Sequence, residues 1–185
     1  MHSIAVEFDT LSPGRRWIGS VFPAALMALL VTGAANGAEP ATTTENVARL
    51  IGATTTVIEV STGLLLPARV DTGATSCSIH CEKFVIKGAV EDPKDNVGKP
   101  VRFLVKNKEG KAEWMESKIV DHVIIRTSER EDERYKVRLK LRWEDMEKKV
   151  LVTLNDREKM KYPLLLGRNF LRDDFLVNVG LEANK

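Results

Sequence analysis

Residues 66–76 constrain the fold more than any other part of the chain, because an apolar stretch there runs directly into Asp71, Thr72 and Gly73. A carboxylate at the end of a buried strand is held rigidly and is kept largely out of bulk water. Thr72 is β-branched and stiff, so its hydroxyl can act as a fixed hydrogen-bond partner. Gly73 is expected to make a tight turn in a backbone conformation that other residues resist. The pattern predicts a rigid turn that presents one carboxylate for acid–base chemistry.

A second constraining segment, residues 162–171, lies near the C-terminus and reads Tyr-Pro-Leu-Leu-Leu-Gly-Arg-Asn-Phe-Leu. Its three consecutive leucines predict an apolar strand that passes beside the Asp71 turn. Gly167 permits a close backbone approach. We therefore expect five residues to support the turn: Ala74, Leu166, Gly167, Arg168 and Asn169.

These two segments carry a family resemblance. Val-Asp-Thr-Gly-Ala at residues 70–74, with Leu-Leu-Gly-Arg-Asn-Phe-Leu at 165–171, resembles the retropepsins, the dimeric aspartic proteases of retroviruses. The longer stretches 68–80 and 160–168 are more similar to a bacterial retropepsin-like family that is often labelled an ATP-dependent zinc protease. Some members of that family are encoded beside the RimK ligase, which adds glutamates to proteins.

The resemblance implies an all-β, retropepsin-like single lobe, close to a closed β-barrel, with one short C-terminal helix. It also implies hydrolysis of peptide bonds by an activated water, with Asp71, Thr72 and Gly73 as catalytic residues and no cofactor. In such proteases two carboxylates share one proton, because like charges so close cannot both ionise. This chain carries a single Asp-Thr-Gly, since the similar tripeptide at residues 61–63 lacks a carboxylate. We therefore expect a homodimer with one Asp71 from each subunit.

The resemblance also assigns roles around the turn. In the dimer Thr72 would brace the turn, and Gly73 or its carbonyl would meet the substrate. Arg168 is expected to tie the short helix back to the turn. Many viral retropepsins place an Asp two residues after the Asp-Thr-Gly-x opening to receive such an arginine, but Thr75 and Ser76 follow that opening here. Arg168 would then bond hydroxyls, carbonyls or another carboxylate.

Two other functions stay open on the same residues. A monomer could not form the carboxylate pair and would be a non-catalytic peptide-binding module. A zinc-dependent peptidase, as the family label suggests, would need metal ligands, but the chain has neither His-Glu-x-x-His for zinc nor Gly-x-x-x-x-Gly-Lys-Ser/Thr for ATP. The remaining candidate ligands do not have a standard zinc spacing; they are Cys77, His80, Cys81 and His122.

The two cysteines, Cys77 and Cys81, leave a disulfide open. If residues 75–81 are extended, the two side chains lie about 13 Å apart, because a strand rises ~3.3 Å per residue, and they cannot bond. A bend near His80 would bring them together, and an oxidising compartment would then favour the bond.

The N-terminus predicts a secretory signal peptide over residues 1–38. Arg15 and Arg16 precede a mostly apolar stretch, residues 17–31, and small residues follow it. This order is typical of a cleaved signal, because the apolar stretch is shorter than the roughly 20 residues that span a membrane. An uncleaved anchor is the alternative. We expect a periplasmic or secreted protein that does not bind membranes after signal removal, with a flexible leader at 39–48 and a protease domain at 49–185.

The composition fits one domain whose partner is a peptide or protein substrate. The chain has 185 residues, and its 28 Lys and Arg against 26 Asp and Glu give a net charge of +2. That balance lacks the basic excess of nucleic-acid-binding domains, so we expect no nucleic-acid partner.

Alternating and β-branched patterns predict strands along most of the domain. One of them, residues 135–143, places apolar side chains on one face and Lys and Arg on the other. It is expected to be a half-buried edge strand, or alternatively to line a groove for an acidic partner. The other expected strands are residues 54–60, 64–70, 75–80, 101–106, 112–120, 122–126, 149–154, 164–166 and 175–179. Between them we expect a loop at 87–99, a solvated charge run at 129–134, a polar turn or one helical turn at 155–159, and a flap within 87–120.

Overall fold

The computed structural model describes residues 6–8, 47–107, 109–126 and 131–181. Most of the expected signal peptide and leader lies outside these ranges, and both segments stay predictions. Within the described ranges, no helix is long and apolar enough to cross a membrane.

The described part of the chain folds into twelve strands and one short α-helix, which confirms the all-β prediction. The strands are β1 (Val6–Phe8), β2 (Arg49–Ile51), β3 (Thr54–Glu59), β4 (Leu64–Val70), β5 (Cys77–His80), β6 (Lys83–Ile86), β7 (Pro100–Lys106), β8 (Ala112–Arg126), β9 (Glu131–Trp143), β10 (Met146–Asn155), β11 (Leu164–Leu166) and β12 (Phe175–Val177). The helix α1 (Arg168–Leu171) follows β11, and a short 3-10 helix (Pro93–Asn96) lies in the loop expected at 87–99.

Six strands close into a barrel in the order β3, β4, β11, β5, β10 and β9. The barrel closes where Ile58 and Glu59 of β3 pair with Arg142 and Leu141 of β9. Within it, β11 runs parallel to β4 and antiparallel to β5. The barrel-like single lobe expected from the resemblance is therefore present.

The alternation of β4 shows how the sequence fills the barrel. Leu64, Leu66 and Ala68 are buried, while Leu65 and Arg69 face solvent. Successive side chains of a strand point to opposite faces, so every second residue of an apolar strand enters the core. The strand therefore arrives at its last residue with a register already fixed by its buried face.

One long strand, β8, joins the barrel to a smaller outer sheet. Its first part, Ala112 to Lys118, pairs with β7, and its later part pairs with β9. The pairing register shifts between Ile119 and Asp121. The prediction of two separate strands at 112–120 and 122–126 is therefore wrong, because a bulge bends a single continuous strand. The β7–β8 hairpin falls in the interval where a flap was expected, and that role stays a prediction.

The strand β9 overturns two further predictions. It begins at Glu131, so the charge run expected as a solvated loop is strand from that residue onward. Arg134 of this run pairs with Asp132 at 2.6 Å. The strand is also not at an edge, because β8 and β10 flank it on either side. Pairing with distant parts of the chain makes it central, and no local pattern reports such pairing.

The outward face of β9 is partly neutralised. Lys136 pairs with Asp121 on β8, and Lys140 pairs with Glu147 on β10. Such exposed cross-strand ion pairs contribute little stability, about 0–1 kcal/mol each, but they occupy two of the outward cations. The alternative of a cationic groove for an acidic partner on this face stays a prediction.

The segment after β10 forms no helical turn at residues 155–159. The strand continues to Asn155, which lies opposite His80 of β5. Beyond it, Asp156 Oδ1 accepts the backbone N–H of Glu158 at 2.9 Å. A short Asp side chain that bonds nearby backbone competes with a helix in this way, and here the turn wins.

The strands β2 and β12 form a separate parallel pair. The Phe175 ring stacks on Phe170 and meets the Trp143 ring edge-on, each at a centroid distance of 5.2 Å. The opposite side of the pair faces outward: the register partners Leu50 and Leu176 are 57% and 59% exposed. The predicted last strand ends at Val177, two residues earlier than expected.

The register of β4 can be tested with two neighbouring leucines. We expect Leu66→Ala to lower the free energy of unfolding by about 2–5 kcal/mol, because Leu66 is fully buried. Leu65→Ala should lower it by less than about 1 kcal/mol, because that side chain is half exposed. Urea denaturation of both variants measures the difference. Equal losses would mean that the strand is placed one residue out of register.

Candidate active site

The parallel pairing of β4 and β11 places the two motif segments of the sequence, residues 66–76 and 162–171, side by side. Val70 lies opposite Leu166 in this pairing. The backbone N–H of Asp71 donates to the carbonyl of Leu166 at 2.9 Å. Parallel strands end at the same edge of a sheet, so Asp71 and Gly167 leave the barrel next to each other. The expected passage of the leucine strand beside the Asp71 turn is therefore observed.

The carboxylate of Asp71 is oriented by the backbone of its own turn. Its Oδ1 accepts the N–H groups of Gly73 at 2.9 Å and of Ala74 at 3.2 Å. Among the residues that the structure describes, none donates a hydrogen bond to Oδ2. The side chain is half-buried, with one oxygen fixed and the other available. A carboxylate in this state can accept a proton from a water molecule.

Gly73 was expected to adopt a backbone conformation that other residues resist, and this expectation is wrong. Its backbone is not in the left-handed region, unlike the glycines that do adopt a positive φ in the described chain. A Cβ at this position would instead lie 3.2 Å from Oδ1 of Asp71. The glycine therefore gives room for the carboxylate oxygen to approach the turn, and the sequence pattern alone does not distinguish these two roles.

Arg168 fastens the first residue of α1 to the turn. Its Nη1 donates to the carbonyls of Thr72 at 3.0 Å and Gly73 at 2.8 Å, and its Nη2 donates to the hydroxyl of Thr75 at 2.9 Å. Its own N–H donates to the carbonyl of Ala74 at 2.8 Å. Of the acceptors left open by the sequence, two carbonyls and one hydroxyl are used. The planar guanidinium suits such a fork of acceptors.

The backbone and the side chain of Thr72 differ in their contacts. The residue is exposed, and only its backbone carbonyl is engaged, by Arg168. Within the described part of the chain, its hydroxyl makes no hydrogen bond. A stiff side chain with an unused hydroxyl next to the carboxylate can reach a second molecule, which is the role expected in a dimer.

Gly167 and Asn169 lock the start of α1 to the barrel. A Cβ on Gly167 would lie 2.6 Å from both the carbonyl carbon and the carbonyl oxygen of Ser76, so only glycine fits. Asn169 Oδ1 accepts the N–H of Cys77 at 2.9 Å, and its Nδ2 donates to the carbonyl of Leu151 at 2.7 Å. One amide side chain therefore joins α1 to β5 and β10.

Cys77 and Cys81 are both free and buried, so the disulfide left open by the sequence is not formed. The Cys77 Sγ donates to Asn169 Oδ1 at 3.1 Å, and the Cys81 Sγ donates to the carbonyl of Lys83 at 3.3 Å. Burial raises the pKa of Cys77 to about 11 and the pKa of Cys81 to about 12. Both thiols therefore stay protonated at neutral pH and are poor nucleophiles and poor metal ligands.

The candidate zinc ligands are not brought together. The Nδ1 of His80 accepts the N–H of Arg157 at 3.0 Å, and the Nε2 of His122 lies 3.3 Å from Glu133 Oε2 on β9. Over the described ranges, no three His, Cys, Asp or Glu side chains come close enough to hold a metal ion. The residues present do not fit the zinc named in the family label.

Arg157 brings a positive charge within electrostatic reach of Asp71. Burial lowers the pKa of Arg157, and the nearby charges of Arg134 and Arg69 lower it further, whereas Asp71 raises it. The carboxylate therefore interacts with the guanidinium of Arg157.

Sequence reasoning missed one group that bears on the site. The side chain of Lys148 extends from β10 to the C-terminal end of α1. Its ammonium there bonds the carboxylate of Asp174. Neither residue belongs to a motif, and Lys148 stands among other lysines of an alternating strand. Only the path of β10 beneath α1 distinguishes it from its exposed neighbour Lys149.

The barrel and its Asp-Thr-Gly turn have the features of a single-lobe aspartic protease, and comparison with known proteins agrees. Residues 53–184 match the family described as RimB-like, retropepsin-like aspartic endopeptidase RimB. The chain belongs to this family, as the motif resemblance predicted. No curated protein matches the chain significantly.

A solved structure is also similar. It is that of the protein Lpg0085, of unknown function, from Legionella pneumophila, which is 27% identical to this chain with a TM-score of 0.59. The similarity covers 73% of this chain and 96% of that one. It therefore extends over nearly the whole of the Legionella protein.

The close approach at Gly167 gives a testable prediction. Gly167→Ala should lower the free energy of unfolding by about 1–3 kcal/mol or more, because its methyl group would overlap the Ser76 backbone, which cannot move aside as a side chain can. Gly180→Ala is the matched control, since its nearest neighbour is the flexible Asn178 side chain at 3.3 Å. Urea denaturation compares the two. A Gly167 variant as stable as the control would contradict the proposed contact.

Proposed function

We propose that this protein is an exported aspartic endopeptidase that works as a homodimer, with one Asp71 from each subunit. The observation that carries the proposal is the Asp71 carboxylate itself, with Oδ1 fixed by two backbone N–H groups and Oδ2 available. Membership of a retropepsin-like endopeptidase family supports the reaction class. The order of Arg15, Arg16 and the apolar stretch supports export to the periplasm or beyond.

The chemistry of the pair follows from proximity. Two carboxylates in contact share one proton, because both cannot be ionised at once. The ionised Asp71 takes a proton from water as the water oxygen attacks the peptide carbonyl carbon, and the protonated Asp71 donates its proton to the carbonyl oxygen. The tetrahedral gem-diol then collapses and the C–N bond breaks. The nitrogen receives the proton that the first Asp71 took from water, and the second Asp71 regains a proton from a hydroxyl of the gem-diol, which becomes the carboxylic acid product. In this scheme the Thr72 hydroxyl braces the two turns against each other.

The exposed side of the β2–β12 pair supports a second copy as partner. Leu50 and Leu176 form a directly opposed, exposed apolar pair on it. The pair adjoins the catalytic turn, because the carbonyl of Ala53, two residues after β2, accepts the N–H of Val70 at 3.0 Å. Contact between two copies at this face would bring two Asp71 turns towards each other. Further exposed apolar residues lie just before β2 and just after β12: Val47, Val179 and Leu181.

The arginines near Asp71 favour an acidic substrate. Arg157 places positive charge within electrostatic reach of Asp71, and Arg69 and Arg134 lie within electrostatic reach of Arg157. Arg134 is paired with Asp132. A peptide rich in glutamate or aspartate would be attracted to this approach more strongly than a basic one.

Mutation of the carboxylate tests the reaction. Asp71→Asn should reduce hydrolysis of a peptide library by at least about 100-fold, because asparagine cannot accept the proton of water. Asp156→Asn is the control: Asp156 lies outside the turn, and an amide oxygen can still accept the Glu158 N–H. Mass spectrometry of the library measures cleavage, with Glu-rich peptides expected to be cut faster than Lys-rich ones.

Two results would overturn this scheme. Hydrolysis that survives Asp71→Asn and stops with a chelator would assign a zinc peptidase instead. A wild-type protein that binds library peptides without cleaving them would assign the peptide-binding module.

The oligomeric state tests the pair directly. Light scattering of the purified protein between pH 4 and 8 should give the mass of a dimer. Leu176→Asp should shift it towards the monomer, since it introduces a charge on the opposed apolar pair, and should reduce hydrolysis in parallel. Leu65→Asp is the control, because Leu65 is 50% exposed on a different strand. If the wild-type protein is a monomer at every pH and concentration, the Asp71 pair cannot form and the proposal is contradicted.

A further inference from the structure

Lys148 makes an unusually complete set of contacts for a lysine. It lies on β10, and its side chain is 25% exposed. Its Nζ donates to the carbonyls of Phe170 at 3.0 Å and Arg172 at 2.9 Å, and to the carboxylate of Asp174. An ammonium has three donors, and all three are used here.

These acceptors share one location, the C-terminal end of α1 and the residues just after it. The last carbonyls of a helix lack partners within the helix and carry partial negative charge, so a cation is favourable there. Without the ammonium, two carbonyls and one carboxylate would lose the donor that Lys148 supplies to them. Lys148 therefore holds the end of α1 against the barrel.

The start of the same helix holds the catalytic turn. Arg168 is the first residue of α1, and its guanidinium bonds the carbonyls of Thr72 and Gly73. The helix has only four residues, and the N–H of Arg172 donates to the carbonyl of Arg168 at 2.8 Å. A displacement at one end of so short a helix must reach the other end. Lys148 and the turn of Asp71 are therefore connected through α1.

The same contacts reach the β2–β12 pair. The carbonyl of Asp174 accepts the N–H of Arg49 at 2.8 Å, which joins the end of α1 to the first residue of β2. The Lys148–Asp174 ion pair is therefore shared by the helix that holds the turn and the pair of strands that carries Leu50 and Leu176.

We propose that Lys148 is a positioning residue for Asp71, acting through α1 and Arg168. It rests on the proposed function, since Asp71 must be the catalytic carboxylate for its position to matter to a rate. Lys148 itself contacts neither the carboxylate nor the turn.

The experiment compares three variants of the full chain: Lys148→Met, Lys148→Arg and Lys149→Met. The last is the matched control, since Lys149 is the exposed neighbour on the same strand. Peptide hydrolysis is measured at protein concentrations where light scattering shows the same mass for all variants. Amide hydrogen exchange of the turn is measured by NMR without substrate, at Gly73 and Ala74, whose N–H groups bond Asp71.

We expect Lys148→Met to lower kcat by about 10- to 100-fold with KM changed less than about twofold, because a misplaced carboxylate weakens the transition state rather than substrate binding. The Gly73 and Ala74 amides should exchange at least about tenfold faster in this variant. Lys148→Arg should restore most of both properties, and Lys149→Met should behave as wild type.

Faster exchange confined to the amides near Arg172 and Asp174, with the turn unchanged, would overturn the inference, because Lys148 would then only cap the helix. If Lys148→Met fails to fold, Asp174→Asn replaces it, since it removes the charge of the pair and keeps an acceptor; a turn unchanged in that variant would also overturn it. If wild type and Asp71→Asn hydrolyse peptides equally, the proposed function fails, and the exchange of the turn still decides the role of Lys148.

Discussion

The site depends first on the parallel register of β4 and β11. With Val70 opposite Leu166, the chain leaves both strands at one edge, and the Asp71 N–H meets the Leu166 carbonyl. A slip of one residue would turn the buried face of β4 outward, so burial of Leu64, Leu66 and Ala68 enforces the register. The position of the carboxylate is therefore set by hydrophobic burial several residues away, before any polar contact in the turn is made.

Polar contacts then fix the turn within that frame. Arg168 bonds only neutral acceptors there, two carbonyls and a hydroxyl, and no carboxylate of the turn cancels its charge. Asn169 and Lys148 anchor the two ends of α1 to β10, one through an amide and the other through an ammonium. A few hydrogen-bond donors that converge on the turn and on α1 thus define the local geometry of the turn. The donors come from two parts of the sequence, since Arg168 and Asn169 are adjacent in α1 and Lys148 lies on β10.

Local pattern predicted the two strands that carry the site to the residue. Leu64–Val70 and Leu164–Leu166 have the predicted bounds, because an alternating face and an apolar run are encoded locally, whereas β5 begins at Cys77, two residues later than predicted. The expected short C-terminal helix is present as α1. Predictions failed where pairing between distant parts of the chain decides the structure. The central position of β9, the unbroken course of β8 and the contacts of Lys148 all follow from neighbours far away in sequence. Gly73 failed for another reason: a glycine required for space and one required for a left-handed turn look alike in a sequence.

The two buried thiols give the folded chain an internal reporter. Thiol reagents attack the thiolate, and Cys77 and Cys81 are both buried and protonated up to strongly alkaline pH. A thiol reagent can therefore react only when the barrel opens around β5, which contains Cys77, or around Cys81, which follows β5. The rate of labelling under native conditions then counts those opening events, in the same way that amide exchange does. A chain with two free cysteines thereby records how often its own barrel opens.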